Sequence, residues 1–268
     1  MKYDPVKKTL GKIFNSCIFL RKLFYFLLDT LLLRTWHFKK EFNNNFNVTN
    51  SDIKIMDAGA GYGQYAFFLS SINKNWEITG AEIKDEQVED CNNFFNKIGH
   101  NKVKFIIADL TNYVKENYYD LIVNVDVMEH IENDTDVMVN FYKSLKKGGK
   151  LLLSTPSDKG GSDAHDDDDE SFVEEHVRNG YSVEDITDKL NRAGFEKIKV
   201  KYTYGIFGNI AWKLSMKIPL LILNISKIFL IILPFYYLIT LPFFLILNYL
   251  DVITDNKEGT GLFVIAEK

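Results

Sequence analysis

The stretch that most constrains the fold is residues 53–63, Ile-Lys-Ile-Met-Asp-Ala-Gly-Ala-Gly-Tyr-Gly. An apolar, partly β-branched run leads to Asp57, and glycines follow at 59, 61 and 63. From Gln64 onward Tyr65, Phe67, Phe68, Leu69 and Ile72 recur at helical spacing. This predicts a strand, a tight turn and a helix. Glycines at such a turn let the backbone approach a ligand at a helix N-terminus, in the crevice beyond the carboxyl end of the first parallel strand. A dinucleotide fingerprint would place a glycine where Gln64 stands, so that class is disfavoured.

The pattern is instead D-x-G-x-G-x-G, with Asp57 two residues ahead of Gly59. It resembles the first motif of the class I S-adenosyl-L-methionine (SAM) methyltransferases. The resemblance implies an α/β fold: a seven-stranded Rossmann-like methyltransferase sheet with its last strand antiparallel and helices on both faces. It implies SAM as cofactor, S-adenosyl-L-homocysteine as product, and cofactor contacts from Asp57, Gly59, Ala60, Gly61 and Gly63.

The chain beyond fits that frame. A strand predicted at 76–81 ends at Glu82, nineteen residues past Gly63, where an acid is placed to accept hydrogen bonds from ribose hydroxyls, with Ile83 beside it. A helix over 85–98 stops at Gly99. A strand over 103–108 leads to Asp109 and Leu110, which the resemblance assigns to the adenine amine and ring. Residues 119–131 read as a buried strand running into a polar turn, similar to the family's fourth motif, with Val125 and Asp126 at the cofactor. Asn133 or Asp134 is expected to cap a helix ending at Gly148 and Gly149, before a strand over 151–154 that Pro156 stops. Ser182 opens a capping-box-like start, that helix ends at Gly194, and strands are predicted at 197–204 and 261–266. The resemblance covers residues 52–204 and 260–268.

With 268 residues and 46% hydrophobic content the chain can bury one sizeable core with additions. The expected organisation is a basic amphipathic helical arm over 1–42, a SAM-binding core over 43–204, a hydrophobic helical insertion over 205–258 and the last core strand over 259–268. Residues 41–50 read as an Asn-rich linker. The first forty residues carry nine Lys or Arg against Asp4 and Asp29, net +7, so with −4 for the whole chain the remainder carries −11. A basic arm on an acidic body suits an anionic membrane surface better than nucleic acid, which is excluded as a partner. Cys17 and Cys91 match no metal or redox spacing and fit a reduced cytosol. Arg21 and Lys22 interrupt the N-terminal apolar run and no small-residue cleavage site follows, which argues against a signal peptide.

Within 10–31, Leu10, Ile13, Phe14, Cys17, Leu20, Phe24, Leu27, Leu28 and Leu31 recur at helical spacing, and Phe19, Phe26 and Leu32 widen that face. Two readings stand: an in-plane membrane helix with Trp36 near the interface, or a helix lidding its own active site. More than fifty residues separate the last two strands. Residues 228–250 carry no charge and are long enough to cross a bilayer, yet both flanking strands belong to one sheet, so the chain must leave and return on one side. Pro234 and Pro242 are expected to break a straight helix, which favours a shallow hairpin or in-plane helices. A dimer interface or a cap on the core is the alternative.

The acceptor end of the fourth strand lacks an N-P-P-Y turn and a double-glutamate loop. It carries Asp126-Val-Met-Glu129-His130, similar to the E-x-x-E-H element of small-RNA 3′-end methyltransferases and some ubiquinone-pathway O-methyltransferases. Three readings remain open: a divalent cation on Asp126, Glu129 and His130, with His165 or His176 completing the site; His130 as base or acceptor-orienting group; or a structural helix start with no metal. Glu129, His130 and His165 are the catalytic candidates. His165 lies in the Gly-, Ser- and Asp-rich loop over 157–170, which is a solvated loop or a flap over the acceptor. The expected function is methyl transfer to a hydrophobic, membrane-associated or lipid-like small molecule, at oxygen, by a cytoplasmic enzyme peripheral at the inner face of the membrane. A soluble dimeric natural-product methyltransferase and a catalytically silent SAM-binding membrane adaptor are the alternatives.

Overall fold

The computed structural model describes residues 17–46, 52–160, 177–226 and 230–268. Two helices, α1 (Ile18–Leu31) and α2 (Leu33–Asn45), precede the sheet. Its strands are β1 (Lys54–Ala58), β2 (Glu77–Glu82), β3 (Val103–Ile107), β4 (Tyr119–Val125), β5 (Leu145–Pro156), β6 (Glu196–Thr203) and β7 (Gly261–Glu267). Helices α3 (Gln64–Ile72), α4 (Asp85–Lys97), α5 (Asp134–Ser144) and α6 (Val183–Ala193) connect them. The sheet order is β3-β2-β1-β4-β5-β7-β6, with β7 antiparallel to both neighbours and the remaining pairs parallel. The order reverses between β1 and β4, so the crevice beyond their carboxyl ends is the ligand position of such a sheet.

Residues on both sides of the parallel strands are buried, as crossover helices require. One core layer gathers Met56, Ile122, Phe141, Leu153 and Leu190 under α5 and α6. The other is aromatic: Trp76, Phe95 and Phe105 pack with Tyr25, Phe38 and Phe42 of the two N-terminal helices. The Phe42 ring meets Trp76 at 6.1 Å and the Phe38 ring meets Tyr65 at 4.8 Å, both edge-on. The arm therefore completes the core. Burying each phenylalanine contributes about 2–3 kcal/mol, which fixes α2 to the sheet.

This alters several expectations. The side chains that α1 buries are Arg21 and Tyr25, while Phe19 and Phe26 face outward. The inner face of α1 thus packs on the protein, and an apolar outer face remains. Four of the five basic side chains described after Leu20 in the arm are engaged: Arg21 pairs with Asp90, Arg34 with Asp126, Lys39 with Asp29, and Lys40 donates to the Val252 carbonyl, while Lys2, Lys7, Lys8 and Lys12 lie outside the described residues. The expected linker is helical as far as Asn45. The helix before β5 stops at Ser144, not at the glycine pair, because Leu145 already pairs with Tyr119; the register then jumps to Leu121 with Lys150, looping out residues 146–149. Ser182 caps α6 by accepting the Asp185 N–H, and Gly194 closes it at φ +106°, both as predicted.

Between β6 and β7 the chain forms a helical hairpin. Helix α7 (Ile206–Trp212) runs through a π-helical turn (Lys213–Lys217) into α8 (Ile218–Ile225), and α9 (Leu233–Ile253) returns. Among the described residues, Ile206–Leu223 and Leu233–Ile253 are long and apolar enough to cross a membrane by length and composition. At 1.5 Å per residue the 21 residues of α9 span roughly 31 Å. The expectation that both prolines break it is corrected. Pro234 lies in the first turn, where its N–H would have no intrahelical partner, and Pro242 removes one donor while the helix continues around it. Tyr236 and Tyr237 donate their hydroxyls to the Leu214 and Ser215 carbonyls of the π turn, at 2.7 and 2.8 Å, joining the two limbs. The hairpin is rooted by Asp251, fully buried, which meets His37 Nε2 at 2.8 Å and accepts the Tyr204 and Gly208 N–H groups.

Candidate active site

Beyond β1 the backbone turns through three left-handed glycines, Gly59 (φ +74°), Gly61 (φ +52°) and Gly63 (φ +76°). Gly59 and Gly63 are also crowded, and Gly61 is not. A Cβ on Gly59 would meet Val127 at 2.3 Å, and one on Gly63 would meet the Phe105 ring at 2.8 Å. At Gly61 a Cβ would meet no protein atom within 4 Å, so the backbone there is open toward ligand space. Gly59 and Ala60 donate to the Ala81 carbonyl, at 2.8 and 3.0 Å, tying the turn to β2.

Two carboxylates shape this turn. Asp57 is buried and accepts the Ala66 N–H at 3.0 Å, acting as a remote cap for α3. Its surroundings push its carboxyl up to about 7, through burial first and the Glu82 charge last, against the lowering effect of that bond. Glu82 accepts the Gly61 N–H through Oε2 at 2.9 Å, and the Ile83 and Lys84 N–H groups through Oε1 at 3.0 and 3.1 Å. Asp57 is thus turned inward, whereas Glu82 holds the ligand-facing backbone. Ile83 is exposed beside it, placed to cover a flat ring, and Leu110 is buried. Asp109 is exposed and accepts from Thr111 and Asn112, bonds that hold it below its ordinary range. An open glycine backbone, a carboxylate with backbone donors and an exposed apolar side chain fit a nucleoside with a ribose diol.

Helix α1 braces the same turn. Arg21, 1% exposed, donates to the Tyr62 carbonyl at 2.9 Å, to Tyr25 Oη at 2.8 Å and to Cys91 Sγ at 3.1 Å, and Tyr25 Oη donates to the Tyr62 carbonyl at 2.6 Å. Gln64 Nε2 donates to Asp29 Oδ1 at 2.7 Å and to Thr35 Oγ1 at 3.2 Å. The bracing roles of these arm residues were missed from sequence, where Arg21 read as one of the arm's basic charges and a break in an apolar run.

At the end of β4, half-buried Val125 leads to Asp126 in the left-handed region at φ +52°. Asp126 is paired with Arg34 of α2, whose backbone N–H donates to Tyr204 Oη at 3.0 Å. Met128–His130 form one 3₁₀ turn. Glu129 packs inward, accepting the Thr155 hydroxyl at 3.3 Å, and burial, then the Asp126 charge, pushes it up to about 8. His130 is half-buried at the end of this turn. Among the described residues no three of His, Cys, Asp and Glu group as metal ligands, so Asp126, Glu129 and His130 do not by themselves make the cation site that was one of the three readings. His165 and His176 lie outside the described residues.

A seven-stranded sheet with this strand order, this glycine turn and this acid at the end of β2 defines a Rossmann-like methyltransferase. A family model described as "Methyltransferase domain" matches residues 19–200, and the chain belongs to that family. The match begins within α1, in keeping with the arm's place in the core. A ubiquinone biosynthesis O-methyltransferase of Rickettsia bellii is 29% identical over 107 residues, 39% of this chain and 42% of that protein. Phosphoethanolamine N-methyltransferase 1 of Triticum aestivum is 28% identical over 150 residues, 54% of this chain and 28% of its own length. The chain thus spans less than half the length of these relatives. Among solved structures, the Haemonchus contortus phosphoethanolamine N-methyltransferase 2 in complex with S-adenosyl-L-methionine superposes with a TM-score of 0.60 at 17% identity, covering 87% of this chain and 52% of that one. That likeness shows the fold.

Proposed function

We propose that the chain is a SAM-dependent methyltransferase working at the cytoplasmic face of a membrane and methylating a hydrophobic, lipid-like acceptor at oxygen. The observation that carries this reading is the apolar hairpin between β6 and β7, rooted at Asp251, which is joined through Tyr204 and Arg34 to Asp126 at the end of β4. Its outward side chains include Ile206, Ile210, Phe235, Leu238, Phe243 and Ile246, an apolar surface beyond what a water-facing monomer ordinarily shows. Phe19 and Phe26 of α1 face outward too. Sheet topology returns the chain to the side it left, and the tyrosine bonds between the limbs satisfy polar groups internally, as hydrocarbon requires.

Bound SAM supplies an electrophilic methyl group on a sulfonium. Glu82 and the Gly61 backbone hold the nucleoside, α1 and α2 close over the glycine turn and exclude water, and His130 takes the acceptor proton. The lysines Lys213 and Lys217, at the two ends of the π-helical turn between α7 and α8, favour an anionic leaflet.

Flotation of the full chain with phosphatidylcholine vesicles, with and without phosphatidylglycerol, tests the docking. Co-flotation with both, stronger with the anionic lipid, is expected. A protein that stays at the bottom of the gradient and runs as a discrete dimer in gel filtration without detergent would replace membrane docking with a dimer interface.

A further inference from the structure

Helix α1 has two faces, and the inner one holds the glycine turn through a single guanidinium. Arg21 donates directly to the Tyr62 carbonyl at 2.9 Å. It also donates to Tyr25 Oη at 2.8 Å, and that hydroxyl donates to the same carbonyl at 2.6 Å. A third path runs through Cys91: Arg21 donates to its sulfur at 3.1 Å, and the thiol donates to the Gly61 carbonyl at 3.5 Å. Asp90 carries the balancing charge. The two carbonyls that follow the open Gly61 backbone are thus set from α1, as Glu82 sets the Gly61 N–H. Without α1, glycines at 61 and 63 leave both peptides free to rotate.

Docking of α1 rests largely on this cluster, for of its 14 residues only Arg21 and Tyr25 are buried. A buried guanidinium gives up its hydration for the bonds it gains, so its net contribution to docking is small. The outward stripe is Ile18, Phe19, Lys22 and Phe26, with Phe19 72% and Phe26 64% exposed. Its one charge is basic, and the one acid of the helix, Asp29, is engaged by Lys39 and Gln64. Such a stripe complements an anionic lipid surface. It also adjoins the root of the apolar hairpin. The chain passes from α1 through Leu32 to Leu33, and a Cβ on Gly208 of α7 would meet the Leu33 side chain at 2.6 Å, two residues past exposed Ile206.

We propose that an anionic lipid surface takes Ile18, Phe19, Lys22 and Phe26, holds α1 on the glycine turn and thereby tightens SAM binding, so that the cofactor is loaded at the membrane. This rests on the proposed docking and names the regulation of that site. A helix of 14 residues detached from the body is marginal in water, so the ordered stripe belongs to the docked state. A surface that binds the stripe favours that state, and SAM, which needs the turn held, favours it too. The helix between them is shared, and linkage makes the effect reciprocal: SAM tightens membrane binding by the same factor.

The test measures S-adenosylhomocysteine affinity of the full chain by calorimetry, alone and fully bound to phosphatidylcholine–phosphatidylglycerol vesicles. Wild type is compared with the double variant Phe19→Ser, Phe26→Ser, with flotation, gel filtration and melting curves for both. The vesicles are expected to tighten wild-type binding roughly tenfold. The variant should melt like wild type, float through its hairpin and bind S-adenosylhomocysteine in solution as wild type does, yet gain less than twofold from the vesicles. Equal wild-type affinity with and without vesicles, or the same gain in the variant, would overturn the proposal while docking and the methyltransferase reading stand. A gain that follows protein concentration without lipid, with a dimer in gel filtration, would give the stripe to a second copy and overturn it as well. Wild type that does not float would overturn docking and the proposal together, and loss of flotation in the variant alone would overturn the hairpin as anchor and the proposal with it. Failure of S-adenosylhomocysteine to bind wild type in either state would overturn the methyltransferase reading and the proposal.

Discussion

Replacing Glu82 by alanine tests the geometry of the cofactor site. A carboxylate offers about four lone-pair positions. Three are occupied by the N–H groups of Gly61, Ile83 and Lys84. One is left for a ribose hydroxyl, and a second hydroxyl would displace the Lys84 N–H, the longest of the three at 3.1 Å and on an exposed residue that water can serve instead. Glu82→Ala therefore removes at least one hydrogen bond from ligand to charged acceptor, about 1.5–3 kcal/mol, and releases the Gly61 N–H that keeps the open backbone in place. At 1.4 kcal/mol per tenfold, SAM affinity should fall roughly 10- to 100-fold. The loss of folding stability should be smaller, about 1 kcal/mol, since water reaches two of the orphaned donors. Calorimetric titration with SAM, paired with urea denaturation, reads the two effects separately. A folded Glu82→Ala protein binding SAM within twofold of wild type would refute the assignment of this acid to the ribose.

Two further outcomes are expected. Gly61→Val should abolish SAM binding in a calorimetric titration, since its side chain would fill the open space over the turn and demand a β-branched residue at φ +52°; near-normal affinity in a folded variant would contradict it. Glu129 rises from 4.5 to about 8 on folding, so its contribution to stability is complete below pH 4.5 and is lost as pH rises toward 8. Glu129→Gln should accordingly gain stability relative to wild type between those values, read by urea denaturation across pH, and a difference that stays flat would show that the carboxyl ionises as freely folded as unfolded.

What the sequence made legible was what lies close along the chain. The β1 turn and α3 follow from glycine spacing and an apolar run within twenty residues. The caps at Ser182 and Gly194 need only their immediate neighbours. Glu82 was found because its distance from the turn is set by one intervening helix. The arm was harder. Its apolar stripe is real, but Arg21 is buried because Asp90, Cys91 and Tyr62 meet it from about forty and seventy positions away. Nothing local announces that. Arg34 counted only toward net charge, since its partner Asp126 lies 92 residues on. Pro242 read as a break because local rules give its cost without the helical bonds on either side that absorb it.

The central claim is methyl transfer to oxygen on an apolar compound at a membrane, and radiolabel transfer tests it most directly. The full chain is incubated with methyl-labelled SAM and membranes, and the organic extract is separated by polarity. The account predicts label in an apolar fraction, dependent on intact Glu82 and on the membranes. Label in no extractable compound, in a preparation that still binds SAM, would contradict it and leave a SAM-binding membrane adaptor in its place.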